Sequence, residues 1–339
     1  MKAVVLRDDL READIRPEPL YAEYKAILEG ESRRVFGDST FIENHKLLPF
    51  DCPSCGRAPV AEFERWEAQY CRCSTCASLL VSPRPDQDAL DAFHRESRAA
   101  GFWERKFAAA TGAAREHSIF RPRLQWLLGI KDRYCPQANV VADYRSKYPT
   151  FLEALCSSGE FQRVVSLIPD MPREKLPPAV RHEHRAGSEP LLDQADILMF
   201  FEVIERVSSP AEVLHLAAQL CAPRGVLVLT TTTSSGFEYQ LLGSSAPNLN
   251  PLDRMNLFSI DALTRLIARA GFELLELSTP GRLDVATVRK TLECDPHLPG
   301  LSFWRYFFRH CGEDAEHALQ EFLQQYRLSS HVRVVARRQ

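Results

Sequence analysis

The fold of this chain is decided by the stretch Asp196-Ile-Leu-Met-Phe-Phe-Glu-Val-Ile-Glu205 and by the later stretch Leu220-Cys-Ala-Pro-Arg-Gly225-Val-Leu-Val-Leu229. Each contains a short, nearly continuous apolar run, which is typical of a strand buried on both faces of a sheet. The residues between them, about 211–221, have the pattern of a helix. A strand, a helix and a second strand in this order predict two parallel strands joined by a helical crossover.

The same alternation extends from Ala138 toward the end of the chain. Gly271 follows the predicted helix 259–270, at the place where a helix C-cap favours glycine. The alternation predicts an α/β domain with a mainly parallel, doubly wound sheet covered on both faces. The predicted strands are 139–143, 163–168, 196–201, 225–231, 272–278 and 331–337, and the predicted helices are 150–157, 211–221, 259–270 and 314–326.

Four cysteines, Cys52, Cys55, Cys73 and Cys76, form two Cys-x-x-Cys pairs separated by seventeen residues. Two such turns can aim four thiolates at one Zn²⁺ ion, and a closed tetrahedron of this kind supports folding rather than catalysis. The segment 57–72 between the pairs is predicted to be a hairpin that is too small to bury a core without the metal. Four ordinary free thiols, a redox pair, and competition from Cys71 are the alternatives.

Composition limits the other properties of the chain. It has 339 residues, 45% of them hydrophobic, and a formal net charge of −3. No apolar run is long enough to span a bilayer, and charges occupy the first sixteen residues, so we expect a soluble, cytoplasmic protein. Six further cysteines at scattered positions fit a reducing compartment. The net charge argues against a nucleic-acid partner, and a nucleic-acid-binding zinc ribbon remains the minority alternative.

The organisation of the chain changes along its length. Charged residues with helical spacing come first, the cysteine pairs follow, and a second helical stretch with aromatic residues leads into the sheet. The predicted parts are a helical N-terminal segment at 1–45, a zinc ribbon at 46–86, a helical linker at 87–135 and the sheet domain at 136–339.

The two opening stretches resemble the fourth and fifth strands of class I S-adenosylmethionine-dependent methyltransferases. Gly271-Phe272-Glu273 resembles the entry to strand six of that family. The cysteine quartet is similar to an N-terminal ribbon in the branch that includes sugar C-methyltransferases and methyltransferases associated with surface polysaccharides. The resemblance implies a Rossmann-like, seven-stranded methyltransferase sheet, S-adenosylmethionine as cofactor, and a sugar, nucleotide-sugar or surface-glycan substrate.

The resemblance also implies where the cofactor binds. The family's first strand ends in a glycine-rich loop, and its second strand ends in an acidic residue that binds the ribose. Here the three loop glycines are replaced by Arg145, Lys147 and Pro149, and Ile168 stands in the acidic place. The candidate cofactor-binding residues are Asp143, Tyr144, Arg145, Asp170 and Phe201.

Three carboxylates are the catalytic candidates: Glu202, Glu205 and Asp253. Related sugar C-methyltransferases carry a Tyr-x-Glu-His group after strand five, where a base removes a proton from the methylated carbon. Arg254 occupies the histidine position here and cannot act as that base. Arg206 likewise replaces a histidine after strand four.

Three hypotheses follow. The first is an active methyltransferase with a remodelled cofactor loop. The second is a pseudoenzyme that serves as a binding or scaffolding partner of another protein, with a cationic cleft for an anionic ligand. The third is the nucleic-acid binder disfavoured by charge.

Overall fold

A computed structural model describes residues 4–6, 10–37, 47–145, 148–168, 173–182 and 194–339. The strands are β1 (Leu47–Leu48), β2 (Val60–Arg65), β3 (Ala68–Arg72), β4 (Leu79–Val81), β5 (Arg84–Pro85), β6 (Val140–Tyr144), β7 (Arg163–Leu167), β8 (Val180–His182), β9 (Ala195–Phe201), β10 (Cys221–Thr232), β11 (Asn256–Leu257), β12 (Phe272–Ser278) and β13 (His331–Arg338).

Helices precede the cysteine pairs, link them to the main sheet and alternate with the strands of that sheet. They are α1 (Glu12–Ile15), α2 (Leu20–Gly37), α3 (Gln87–Glu96), α4 (Arg98–Phe102), α5 (Ala108–Arg115), α6 (Arg121–Tyr134), α7 (Pro149–Ser158), α8 (Pro210–Leu220), α9 (Phe237–Leu242), α10 (Ile260–Arg269), α11 (Asp284–Cys294), α12 (Ser302–His310) and α13 (Gly312–Gln325). π-Helical turns at Trp103–Phe107 and Glu116–Phe120 connect α4, α5 and α6 into one nearly continuous helical run.

The main sheet has seven strands in the order β12-β13-β10-β9-β6-β7-β8. Strands β8, β7, β6, β9 and β10 run parallel, whereas β13 is antiparallel to both of its neighbours. The α/β class and the seven-stranded sheet predicted from the sequence are therefore confirmed. The predicted strands agree with the observed ones, and the largest difference is at β10, which begins at Cys221.

Local sequence explains the boundaries of α10. Ser259 caps its first turn by accepting a hydrogen bond from the backbone N–H of Ala262 at 3.2 Å. Gly271 follows the helix with a φ of +86°, a left-handed conformation that glycine adopts without a steric penalty. The helix therefore begins and ends close to the residues that the sequence indicated.

A second, four-stranded sheet contains the hairpin between the cysteine pairs, in the order β11-β4-β3-β2. Trp66 and Glu67 connect β2 to β3, and both have positive φ, at +52° and +67°. Two such residues form the tight turn that matches the twist of a hairpin. The fourth strand, β11, comes from the segment after β10, so the sheet combines two distant parts of the chain.

The N-terminal helices, the hairpin, the linker and the segment after β10 share one hydrophobic core. Leu28, Tyr70, Leu90 and Met255, one from each of these parts, are all buried in it. These segments therefore pack as one layer above the carboxyl ends of the main sheet. Among the described residues, no helix is long and apolar enough to cross a membrane.

Candidate functional site

The thiol groups of Cys52, Cys55, Cys73 and Cys76 converge, with their sulfur atoms all within 4.8 Å of one another. The closest pairs are Cys52 with Cys76 at 3.4 Å and Cys55 with Cys73 at 3.3 Å. Sulfur ligands at about 2.3 Å from a tetrahedral Zn²⁺ ion lie about 3.8 Å apart, so this spacing fits the ion. The structure brings together all four residues that the sequence selected.

The two cysteine turns have the same backbone geometry. The N–H of Gly56 donates to the carbonyl of Cys52 at 2.7 Å, and the N–H of Ala77 donates to that of Cys73 at 2.8 Å. Gly56 and Ala77 both have positive φ, at +70° and +57°. Equivalent turns hold each thiol pair in the same way, as expected of a single structural metal site.

The cysteine cluster is attached directly to the main domain through α10. The hydroxyl of Ser54 donates to the carbonyl of Ala262 at 3.0 Å, and Arg269 donates to the carbonyl of Ser54 at 2.6 Å. Ser234 donates to the carbonyl of Ala77 at 2.9 Å. The cluster therefore fixes the N-terminal layer to the sheet, and none of its cysteines lines the cavity described below.

A cavity of about 670 Å³ lies at the carboxyl ends of the parallel strands. Arg145, Ile168, Glu202 and Thr232, which end or follow β6, β7, β9 and β10, line its floor. Ligands of open parallel sheets bind at this edge, and the volume is within the range of small-molecule sites. The cavity is thus the candidate binding site.

Aromatic and charged residues of the N-terminal layer form the roof of the cavity. Tyr24 of α2 contacts Phe102 and Trp103, with ring centroids 6.0 and 5.4 Å apart. Trp103 in turn stacks on Phe107 at 4.7 Å. Because Tyr24, Trp103 and Phe107 also line the cavity, the predicted helical segments complete the site rather than merely connecting domains.

Arg145 stands where the resemblance places a loop glycine, and its backbone keeps a conformation typical of glycine. Its φ is +56°, a left-handed conformation that is unusual for arginine. Its guanidinium forms a bidentate ion pair with Asp91 of α3, with an Nη2–Oδ2 distance of 2.9 Å. The pair compensates the positive charge of Arg145, and it joins the loop after β6 to the N-terminal layer.

The other cofactor candidates occupy different surroundings. Asp143 is fully buried, and Tyr144 stacks on Phe200 with ring centroids 4.7 Å apart. Phe201 is also buried, and its ring contacts that of Phe151 at 5.5 Å. Of the candidates that the structure describes, Arg145 lines the cavity, whereas Asp143, Tyr144 and Phe201 lie behind its wall. Asp170 and Lys147 lie outside the described residues.

Glu202 lines the cavity but is already engaged in an ion pair. Arg123 of α6 donates to it at 2.6 Å, and the hydroxyl of Thr230 donates at 2.8 Å. Burial alone would raise the pKa of Glu202, but Arg123, His331 and the hydroxyl of Thr230 outweigh it and lower that pKa to about 2. A carboxylate that stays ionised in this way is a poor proton acceptor, so the geometry indicates a structural role.

Glu205 is completely buried and does not line the cavity. It accepts a hydrogen bond from the hydroxyl of Thr231 at 2.8 Å and lies 3.6 Å from the guanidinium of Arg254. Burial raises the pKa of Glu205, and Arg254 opposes that shift. Its carboxylate therefore helps to fix Arg254 and has no access to a ligand in the cavity.

Asp253 lies on the cavity wall beside a histidine that sequence reasoning did not select. The Nδ1 atom of His94, on α3, is 3.8 Å from the Oδ1 atom of Asp253. The side-chain amide of Asn250 donates to the other carboxylate oxygen at 3.1 Å. Both His94 and Asp253 line the cavity. A histidine beside a carboxylate is a common arrangement for proton transfer, because the carboxylate stabilises the imidazolium ion.

The walls of the cavity carry a surplus of positive charge. Eleven lysine and arginine side chains line it, against six aspartates and glutamates. Burial, together with Arg333, Arg123 and Arg282, lowers the pKa of His331 to about 3 although Glu202 opposes the shift, so this imidazole stays neutral. The potential in the cavity therefore favours a ligand with negative charge.

Part of the chain is similar to known proteins. Residues 131–277 match the family model described as a methyltransferase domain. No curated protein matches the sequence. The chain is similar to the plantazolicin methyltransferase BamL solved with a desmethyl substrate analogue and S-adenosylhomocysteine, at 9% identity, covering 74% of this chain and 94% of that one with a TM-score of 0.45.

Two further solved structures show the same kind of similarity. The [4+2]-cyclase SpnF matches at 16% identity over 64% of this chain and 80% of that one, with a TM-score of 0.39. An S-adenosylmethionine-dependent methyltransferase from Mesorhizobium loti matches at 12% identity over 59% of this chain and 91% of that one, with a TM-score of 0.36. Residues 131–277 thus match a methyltransferase-domain model, and the seven-stranded sheet has an α/β architecture compatible with that fold.

Proposed function

We propose that the protein is an S-adenosylmethionine-dependent methyltransferase that acts on a sugar, a nucleotide-sugar or a surface glycan in the cytoplasm. The observation that carries the proposal is the cavity at the carboxyl ends of β6, β7 and β9 within the domain that matches the methyltransferase family model. The cysteine ribbon and its place before the sheet support the sugar-related branch. A role in polysaccharide biosynthesis would follow from that branch.

Three features of the described residues are compatible with the cofactor: the volume of the cavity, the backbone conformation of Arg145 and the ion pair that compensates its charge. The cavity has the volume of a small-molecule site. Arg145 keeps a glycine-like backbone conformation, and Asp91 compensates its charge, which would otherwise repel a sulfonium. Ile168 cannot accept hydrogen bonds from a ribose, so Asp170 remains the proposed acceptor. When bound, S-adenosylmethionine would supply an electrophilic methyl group.

We assign His94 as the proton acceptor and Asp253 as the residue that positions it. As the acceptor oxygen or carbon forms its bond to the methyl group and the sulfur–methyl bond breaks, the acceptor must lose a proton. His94 lines the cavity beside Asp253, so its imidazole can receive that proton, and Asp253 then stabilises the imidazolium ion. Glu202 and Glu205 hold neighbouring arginines and do not exchange protons with the ligand.

We predict that His94→Gln lowers kcat by about 100-fold or more while leaving S-adenosylmethionine affinity unchanged, because it removes only the proton acceptor. Release of S-adenosylhomocysteine with a series of nucleotide-linked hexoses measures the rate. Asp253→Asn should have a smaller effect on kcat, because it leaves the imidazole in place and removes only the residue that positions it. The exposed His117 does not line the cavity, so His117→Gln is the matched control. Equal rates for H94Q and H117Q would refute the assignment.

The alternative is a pseudoenzyme that binds an anionic ligand and a protein partner. The observation in its favour is the surplus of cations in the cavity. The two functions differ in one measurable respect, because only the methyltransferase needs to bind S-adenosylmethionine.

A further inference from the structure

Helix α3 presents one polar face to the cavity. Gln87, Asp91 and His94 follow each other at spacings of four and three residues, which places them on the same side of a helix. All three line the cavity. Asp86 caps the helix by accepting a hydrogen bond from the backbone N–H of Ala89 at 2.8 Å. The contacts that hold Gln87 and Asp91 in place therefore also determine the position of His94.

Asp91 anchors the middle of α3 to the loop after β6. Arg145 donates to both of its carboxylate oxygens, with an Nη2–Oδ2 distance of 2.9 Å. The two side chains are 21% and 22% exposed, so water screens the ion pair only partly. The side-chain amide of Gln87 donates to the Oδ1 atom of Asp91 at 2.8 Å and joins the two polar residues of the helix. A bidentate contact of this kind fixes orientation as well as distance.

Gln87 anchors the first turn of α3 to the loop after β9. Its Oε1 atom accepts hydrogen bonds from the backbone N–H and from the hydroxyl of Ser208, each at 3.1 Å. The carbonyl of Ser208 in turn accepts from the buried guanidinium of Arg84 at 3.2 Å. Strands β6 and β9 are parallel neighbours in the main sheet, so both anchors of α3 lie at the same edge of that sheet.

We infer that Gln87 and Asp91 are positioning residues that clamp α3 across the loops after β6 and β9 and thereby hold His94 in the cavity. The roof clamp consists of Gln87, Asp91, Arg145 and Ser208. The arginine that stands in place of a loop glycine thus supplies one of the two anchors of the helix that carries the proton acceptor. The inference rests on the proposed function only for the role of His94, because the contacts of the clamp exist whether or not a methyl group is transferred.

Footprinting of the full-length protein with diethyl pyrocarbonate, which modifies accessible imidazoles, tests the clamp without cofactor or substrate. The side chain of His94 is only 13% exposed. In Asp91→Ala and in Gln87→Ala, α3 should open more often, and the rate at which His94 is modified should rise about threefold or more. Peptide mass spectrometry measures that rate, and the exposed His117 serves as the internal standard.

Asp88→Ala is the matched control, because this exposed aspartate lies on the same helix but does not line the cavity. It should leave the modification rate of His94 unchanged. Gln87→Ala removes a neutral side chain and leaves the ion pair with Arg145 in place, so it tests the clamp even if D91A unfolds the roof. Modification rates of His94 that are equal in D91A, Q87A and D88A would overturn the inference.

Enzyme kinetics separate positioning from a general loss of structure. Gln87→Ala should lower kcat about tenfold and leave KM unchanged, because it displaces the proton acceptor. In the His94→Gln background the same substitution should have no further effect. A further tenfold loss in that background would show that Gln87 does not act through His94 and would overturn the inference. If the unmodified protein transfers no methyl group, the proposed function fails, whereas the footprinting result decides the clamp.

Discussion

Replacing one cysteine of the quartet should unfold the N-terminal layer and remove the metal. We expect Cys73→Ser to lower the free energy of unfolding by more than about 4 kcal/mol, because a structural zinc site contributes its binding energy to folding. The cluster lies where α10 meets the cysteine turns, so its loss should also open the roof of the cavity. Metal analysis and thermal denaturation measure both effects.

The neighbouring thiol supplies a matched control for this prediction. Cys71 is buried and lies two residues before Cys73, but it donates to the carbonyl of Ser82 at 3.6 Å and is not in the cluster. Cys71→Ser should therefore retain one zinc ion per chain and nearly the original melting temperature. If C71S and C73S contain equal amounts of zinc, or if the unmodified protein contains none, the zinc site is refuted.

Breaking the ion pair between Arg123 and Glu202 on the cavity floor should have the second large effect. Arg123 and Glu202 have side chains only 7% and 12% exposed, and Arg123→Met would leave the carboxylate buried without its main partner. Removing one member of such a pair costs about 3–5 kcal/mol of stability. The double variant R123M/E202Q should recover part of that loss, because no charge is then left unpaired.

The effect of Arg123→Met should depend on pH. Since the pKa of Glu202 is lowered to about 2 in the folded protein, the stability that it contributes is present above the usual carboxyl pKa and is lost as the pH falls toward 2. In R123M the carboxyl of Glu202 should take up a proton at a higher pH. The cost of burying an unpaired charge should then disappear as the pH falls. Urea denaturation measures the free energy of unfolding of the unmodified protein and of R123M. The difference between the two should be smaller at pH 4 than at pH 8, and an equal difference at both pH values would contradict this account.

Elements that depend on local patterns were predictable. The apolar runs of β6, β7, β9 and β10 indicate buried parallel strands, and the doubled Cys-x-x-Cys spacing indicates a metal site. The apolar runs and the Cys-x-x-Cys pairs are each formed by residues close together in the sequence. They can therefore be recognised without knowledge of tertiary contacts. Ser259 and Gly271, at the two ends of α10, are local sequence signals of the same kind.

The layer above the sheet was not predictable from those patterns. His94 and Asp253 meet although they are far apart in sequence, and β11 joins a sheet whose other strands precede β6. The linker was predicted as a helix with apolar faces, but the role of its polar residues depends on tertiary packing. Arg145 is a further example of a feature that depends on tertiary structure. Its positive φ and its ion pair with Asp91 could not be predicted, because an arginine stands where a glycine would have indicated the backbone conformation.

Calorimetric titration with S-adenosylmethionine and S-adenosylhomocysteine tests the central claim most directly. The protein should be purified with zinc, and a methyltransferase with an intact glycine loop should serve as the positive control. We predict 1:1 binding of both compounds with micromolar dissociation constants. No binding by a folded, zinc-loaded protein, in conditions where the control binds, would contradict the methyltransferase assignment and favour the anion-binding pseudoenzyme.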